Sequence, residues 1–197
     1  MCGRRACAPT GLTGTASRAA RHRARCQHYE QGHYAAHADI ARQDVALVLF
    51  VGDYIYESTN PKYIVRPHTG GLPSTLPAYR ERHALYKLDA DLRACHAAHP
   101  WICTWDDHEV QNDYAASAGH AGQAGQAGRG DATSFLAQRG AAWQAFYENM
   151  PLRAASLNRP FPDTRWDALQ VYRRLRWGRL AHVHLLDSRQ YRSWQAC

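Results

Sequence analysis

Val45-Ala-Leu-Val-Leu-Phe-Val51, running directly into Gly52-Asp-Tyr-Ile-Tyr-Glu57, is the stretch that decides the fold class of this chain. Seven consecutive apolar residues rich in valine and leucine predict a strand buried on both faces, as strands of parallel sheets are. The glycine permits a sharp turn, and Asp53 then falls at the carboxyl end of the strand, where open α/β sheets bind their ligands. Asp53 is therefore either a ligand-binding acid or the capping acid of an ordinary turn.

Helical and strand patterns alternate on both sides of this stretch, which predicts an α/β fold. Helices are predicted over residues 35–41, 79–99 and 135–150, and strands over 101–105, 169–177 and 180–186. In the helix over 79–99, Leu85, Leu88 and Leu92 follow the spacing of one buried face. Thr133 or Ser134 is predicted to cap the last helix.

The positive charge of the chain is concentrated near its N-terminus. The 197 residues suffice for one domain with a sizeable core, and their formal net charge is +7. Residues 1–25 contain six arginines, no acid and no helical or strand periodicity, so we predict a disordered basic tail over 1–25 and a domain over 26–197. Because the basicity belongs to a tail, nucleic-acid binding is not expected beyond it. No apolar run approaches the ~18 residues of a membrane span, and no apolar segment follows Arg4-Arg5 to complete a signal peptide.

The six cysteines do not form a C-x-x-C pair, so a zinc ribbon or a thioredoxin-type motif is not supported. An even number of cysteines does not establish disulfides. Most of the six are therefore expected to be free thiols.

Three of the predicted strands end in acids, namely Asp53, the pair Asp106 and Asp107, and Asp187. Tyr56, His108 and Asn112 follow close behind the first two of these ends. Carboxylate, amide and phenol oxygens with imidazole nitrogens suit Mn²⁺, Fe³⁺, Ca²⁺ and Mg²⁺. Two such metals ~3.5–4 Å apart form the usual clamp for displacement at phosphorus. The pattern thus indicates a metal site, with structural turn acids as the alternative.

Five runs together resemble the PhoD-type alkaline phosphatase/phosphodiesterase family, in that family's order and over about residues 26 to 197. They are Cys26-Gln-His-Tyr-Glu-Gln-Gly32, Gly52-Asp-Tyr-Ile-Tyr-Glu57, Tyr79-Arg-Glu-Arg-His-Ala-Leu-Tyr86, Trp105-Asp-Asp-His-Glu-Val110 and Asp187-Ser-Arg-Gln-Tyr-Arg192. The resemblance implies a calcineurin-like metallophosphoesterase fold, a four-layer αββα sandwich of two facing sheets flanked by helices, of which this chain holds the N-terminal part. It also implies iron (Fe³⁺) and calcium (Ca²⁺) as cofactors.

The metal ligands that the resemblance implies lie in three of the five runs. Asp53 is expected to bridge the two metals, with Tyr56 as a phenolate ligand and Cys26 as a thiolate ligand of ferric iron. Asp107 and Asn112 are the expected calcium ligands, and which of them binds is left open.

Two further residues are implied in catalysis rather than as fixed metal ligands. His108 is expected to bind metal, orient phosphate or donate a proton to the leaving oxygen, or else to be a hydrogen-bonded structural histidine. Arg189 either binds phosphate oxygens bidentately or pairs with Asp187. The implied reaction is hydrolysis of phosphomonoesters or phosphodiesters by a metal-bound hydroxide.

The chain also departs from the family pattern. It ends at Cys197, before the later Gly-Asp-x-His segment that supplies an aspartate and a histidine to the metals in the family. We therefore expect a truncated fragment, either an active hydrolase or a catalytically inactive remnant that lacks those ligands. The family is periplasmic or secreted, and this location is the expectation here, although no intact signal peptide is predicted.

Overall fold

The computed structural model describes residues 20–60, 62, 64–119 and 132–193. These residues form an α/β fold whose five strands and four α-helices follow one another as β1 Ala20–Ala24, α1 Ala35–Arg42, β2 Val45–Val51, α2 Leu76–Lys87, α3 Ala90–Ala98, β3 Trp101–Thr104, α4 Ala132–Asn149, β4 Arg173–Trp177 and β5 Ala181–Leu185. The predicted strands over 45–51 and 101–105 are confirmed, and so is the short helix before the first of them. None of the helices in this part of the chain has both the length and the hydropathy that crossing a membrane requires.

The first three strands form a parallel sheet in the order β1-β2-β3, with β2 in the centre. Val48 and Phe50 on one face of β2, and Leu47 on the other, are buried, which agrees with the prediction of a strand buried on both faces. The edge strand β1 lies inside the segment that we predicted to be disordered up to Arg25. Its sequence, Ala-Arg-His-Arg-Ala, is mostly basic, and the strand is held by backbone pairing with β2 rather than by an apolar run. Residues 1–19 of the predicted tail lie outside the described residues.

The helix predicted over 79–99 is two helices. The chain breaks between α2 and α3 because the side chain of Asp89 accepts hydrogen bonds from the N–H groups of Asp91 and Leu92 and so caps the start of α3. The break places Leu88 at the surface, 68% exposed, so its prediction as a buried residue is wrong. Leu85 and Leu92 are buried as predicted.

α4 contributes one ring of a stacked tryptophan pair in the core. Its Trp143 is fully buried and stacks on Trp105, with ring centroids 4.6 Å apart. The helix begins at Ala132, so Thr133 and Ser134 lie within it and neither is its cap. The last two strands form the predicted pair around Gly178; they are antiparallel and make a separate two-stranded sheet, and the first begins at Arg173 rather than at Leu169. The described cysteines Cys26, Cys95 and Cys103 are free thiols, as expected.

Candidate metal centre

The loops that follow β1 and β2 bring a thiol beside a carboxylate. Parallel pairing continues past both strands, because the N–H of Cys26 donates to the carbonyl of Gly52 at 3.3 Å and that of Gln27 to the carbonyl of Asp53 at 3.2 Å. Cys26 and Asp53 both adopt the left-handed backbone conformation, with φ of 57° and 59°. For residues other than glycine this conformation costs about 1–3 kcal/mol and is concentrated at functional sites. The fold thus holds two strained residues so that their side chains meet at 3.1 Å.

Gly52 allows the loops after β2 and β3 to approach each other closely. Its φ is +112°, and a Cβ at this position would lie 2.5 Å from the Cβ of Asp106 and 2.6 Å from its backbone nitrogen. Glycine alone tolerates both this conformation and this approach. Gly52 therefore brings Asp53 to the same sheet edge as Asp106 and Asp107.

Asp53 belongs to two groups of predicted ligands. Its Oδ2 accepts hydrogen bonds from the thiol of Cys26 at 3.1 Å and from the phenol of Tyr56 at 3.4 Å. Potential ligand atoms of Asp53, Asp107 and His108 also lie within 4.8 Å of one another. The Oδ1 of Asp53 is buried without a hydrogen-bond partner. Because a buried polar atom without a partner is unfavourable, this oxygen is suited to a cation.

Asp53 and the two groups that donate to it, the thiol of Cys26 and the phenol of Tyr56, ionise less readily than they do in water. Burial raises the pKa of the Asp53 carboxyl and, together with the neighbouring Asp53, the pKa of the Tyr56 phenol. Desolvation and the contact with Asp53 also raise the pKa of the Cys26 thiol. A bound cation favours the anionic forms of such ligands, so metal binding at this point would release protons.

Glu57 fixes the orientation of His108. The buried Oε2 of Glu57 accepts a hydrogen bond from the Nδ1 of His108 at 2.8 Å. Burial lowers the pKa of His108, but the hydrogen bond to Glu57 and the negative charges of Asp107 and Asp53 outweigh it and raise this pKa to about 9. His108 is therefore protonated near neutral pH in the metal-free protein. Its Nε2 is the nitrogen that Glu57 does not hold.

The two predicted calcium ligands are placed differently. Asp107 belongs to the cluster around Asp53, and its Oδ2 also accepts the N–H of Asp113 at 2.7 Å. The side chain of Asn112 donates to the Asp113 carboxylate at 3.1 Å, and its backbone N–H donates to Glu57 at 2.8 Å. The contact with Asp113 uses the Nδ2 of Asn112 and leaves its Oδ1, the amide atom that calcium binds, for a metal.

Arg189 reaches the same sheet edge from the turn after β5. Its Nε donates to the Oδ1 of Asp106 at 2.5 Å, and its Nη2 lies 3.1 Å from the Oδ1 of Asp107. The alternative that Arg189 pairs with Asp187 is therefore wrong for the guanidinium. The Asp187 carboxylate instead accepts the backbone N–H groups of Arg189 and Gln190. The guanidinium balances part of the negative charge of the loop after β3, because it lies between two of its acids.

Glu109 joins the loop after β2 to the loop after β3. Its fully buried carboxylate accepts the N–H of Tyr54 at 2.7 Å and the N–H of Asp106 at 2.9 Å. Burial and the nearby charge of Asp53 raise the pKa of Glu109 to about 8. We assigned no role to Glu57 or Glu109 from the sequence, although both lie in the quoted runs. The sequence did carry a sign of their roles. Each is an acid that comes after a buried strand and lies within five residues of another acid.

The donor set fits metal ions. A thiol and a phenol share one carboxylate oxygen, and such donors suit a transition metal, whereas the carboxylates of Asp53 and Asp107 also suit calcium. Burial of the Asp53 Oδ1 without a hydrogen-bond partner is unfavourable, and a bound cation would offset this cost. Fold and site together define an α/β protein with a candidate metal centre at the carboxyl edge of its parallel sheet.

Comparison with known proteins gives the family. The PhoD-like phosphatase family matches residues 22–197, and the chain belongs to this family. It is 46% identical over 178 residues to alkaline phosphatase D of Bacillus subtilis (strain 168), an alignment that covers 88% of this chain and 28% of that protein. A solved structure of PhoD superposes with a TM-score of 0.78 at 42% identity, and covers 89% of this chain and 32% of its own. The α/β fold prediction is confirmed, and the chain spans about a third or less of the length of these two relatives.

Proposed function

We propose that this site is a two-metal centre that hydrolyses phosphomonoesters and phosphodiesters. The observation that carries the proposal is the position of Asp53. One of its oxygens contacts Cys26 and Tyr56, and the same carboxylate lies within reach of Asp107 and His108. A carboxylate shared by two donor groups is the arrangement that two metals bridged by one ligand require. Membership of the PhoD-like phosphatase family supports the reaction class.

The proposed metals are ferric iron and calcium. Cys26 and Tyr56 would hold iron as thiolate and phenolate, Asp53 would bridge, and Asp107 and Asn112 would hold calcium. Bound cations at such a site stabilise the charge that develops on the phosphate and make a water molecule more acidic. Raised pKa values at Cys26, Asp53 and Tyr56 predict that metal loading becomes more favourable as the pH rises, because protons and cations compete for the same atoms.

His108 is proposed as the proton donor to the leaving oxygen. Its pKa of about 9 in the metal-free protein keeps it protonated, and the hydrogen bond from Nδ1 to Glu57 leaves Nε2 for the substrate. Nearby cations would lower the pKa of His108 toward neutral pH. A general acid is most effective when its pKa lies near the pH of the reaction. Arg189 is proposed to contact a phosphate oxygen while it continues to pair with Asp106.

Turnover of a bis-aryl phosphodiester with iron and calcium supplied tests this function. We expect the unaltered protein to release the aryl alcohol and Asp53→Ala to lose activity by about 100-fold or more. Asp39→Ala is the matched control, because Asp39 is a surface acid of α1 that pairs with Arg42. Turnover that survives Asp53→Ala would contradict the proposal. Metal binding without any turnover would instead favour the catalytically inactive remnant.

A periplasmic or secreted location, and the lack of nucleic-acid binding beyond the basic tail, remain part of this proposal. Both are open to direct measurement, by fractionation of cells that express the chain and by a DNA-binding titration at two salt concentrations.

A further inference from the structure

The run Tyr79–Tyr86 on α2 has no part in the site as described so far, yet two of its buried side chains contact the loop after β2. The hydroxyl of Tyr86 accepts the backbone N–H of Tyr56 at 2.9 Å. One helical turn earlier, the Nη1 of Arg82 donates to the carbonyl of Tyr56 at 2.5 Å and to that of Glu57 at 3.0 Å. Both polar groups of the Tyr56 backbone are therefore held by one face of one helix.

The same hydroxyl also contacts the loop after β1. The backbone N–H of Tyr29 donates to Tyr86 at 3.3 Å, three residues after Cys26. A single oxygen on α2 thus links the segment that carries the thiol to the segment that carries the phenol. Tyr86 is fully buried, so solvent does not compete for the hydroxyl, which also lies 3.1 Å from the Nε2 of His68.

Once its backbone is fixed, the side chain of Tyr56 has little freedom. Its ring lies between the rings of His28 and His108, with centroids 4.3 Å and 4.1 Å away. Its hydroxyl reaches the Oδ2 of Asp53 at 3.4 Å. A shift of the Tyr56 backbone would therefore change the distance between the phenol and the carboxylate, because the ring cannot compensate by rotation between its two neighbours.

We propose that Tyr86 and Arg82 are positioning residues that hold the Tyr56 phenol against the Cys26–Asp53 pair and so set the affinity of the site for iron. This role rests on the proposed metal centre. Groups that orient metal ligands typically change metal affinity by about 10–100-fold when they are removed. The assignment gives the Tyr79–Tyr86 run a function in the site rather than in the core alone.

Tyr86→Phe tests the proposal, since it deletes one oxygen atom and keeps the ring. Tyr79→Phe is the matched control on the same helix. Tyr79 is equally buried, and its hydroxyl donates to the carbonyl of Val110 at 2.7 Å instead of contacting Tyr56. Arg82→Lys is a second variant that keeps the charge but cannot reach several carbonyls at once, and it remains informative if Tyr86→Phe folds poorly.

Two readouts separate positioning from stability. In the metal-free protein, amide hydrogen exchange of residues 53–57 should accelerate about tenfold in Tyr86→Phe and stay unchanged in Tyr79→Phe. In a titration with ferric citrate, the affinity of Tyr86→Phe should fall about tenfold or more, with a shift of the visible phenolate-to-iron band, while Tyr79→Phe keeps both.

The outcomes that overturn the inference differ from those that overturn the function. Equal exchange, affinity and band position in Tyr86→Phe and the unaltered protein would overturn the positioning role and leave the metal centre standing. Failure of the unaltered protein to bind iron would overturn the metal centre, and the positioning role with it.

Discussion

Replacing Glu109 by leucine removes the carboxylate that joins the loops after β2 and β3 while keeping a side chain of similar size. The N–H groups of Tyr54 and Asp106, which now donate at 2.7 Å and 2.9 Å, would lose their acceptor. Each buried N–H without a partner costs about 1–3 kcal/mol. Part of this loss is offset, because burial of the Glu109 carboxyl is itself unfavourable and leucine removes that cost. The unfavourable burial is what raises the pKa of Glu109 to about 8. We therefore expect a net loss of about 2–4 kcal/mol in the free energy of unfolding.

Urea unfolding of the metal-free protein, followed by tryptophan fluorescence, measures this loss. Glu109→Gln keeps one acceptor oxygen and should lose about half as much as Glu109→Leu. Glu81→Leu is the control, because Glu81 is exposed on α2 and its replacement should change stability by no more than about 0.5 kcal/mol. A Glu109→Leu variant as stable as the control would refute the reasoning that this carboxylate joins the two loops.

Three further substitutions test the fold. Gly52→Ala should lower the free energy of unfolding by at least ~3 kcal/mol, because the new Cβ would collide with Asp106 and the φ of this residue is positive. Gly178→Ala, with φ of +54° and open space around it, should lower it by about 1 kcal/mol in the same denaturation assay. Trp143→Ala should cost about 3–5 kcal/mol, since it removes a fully buried ring that stacks on Trp105; a cost below 1 kcal/mol would contradict this packing. Burial alone would raise the pKa of Asp89, but backbone N–H groups of α3 and a neighbouring arginine lower it below its ordinary 3.8. The stabilisation by the Asp89 carboxylate is thus present above pH ~4 and lost as the pH falls further, and Asp89→Asn, which still caps α3, should flatten the dependence of the urea midpoint between pH 3 and 6.

Elements with an apolar run were predictable from the sequence, and elements held by backbone pairing were not. β2 is seven apolar residues in a row, and its burial follows from composition alone. β1 has the sequence Ala-Arg-His-Arg-Ala, which carries no apolar signal, and it exists because β2 offers a row of backbone partners on that side. The break before α3 was missed because the leucine spacing continues across it. The only local sign was Asp89, a good cap that is equally common on a helix surface.

The candidate site divides in the same way. Acids at the ends of buried strands predicted where Asp53 and Asp107 would lie, because parallel strands deliver their ends to one edge of the sheet. The partner of Arg189 was not predictable, since the contact with Asp106 spans 83 residues and depends on how the β4–β5 pair packs. The roles of Glu57 and Glu109 depend on backbone N–H groups of other loops, and a sequence does not display these groups.

Parallel titrations of the unaltered protein, Asp53→Ala and Asp39→Ala with iron and with calcium test the central claim most directly. Asp53 is proposed to bridge both metals, whereas every other proposed ligand serves one. We expect Asp53→Ala to lose affinity for both metals by about 100-fold or more, while Asp39→Ala binds both as the unaltered protein does. Undiminished binding of either metal by Asp53→Ala would contradict the bridging role, and with it the metal centre proposed for this family member.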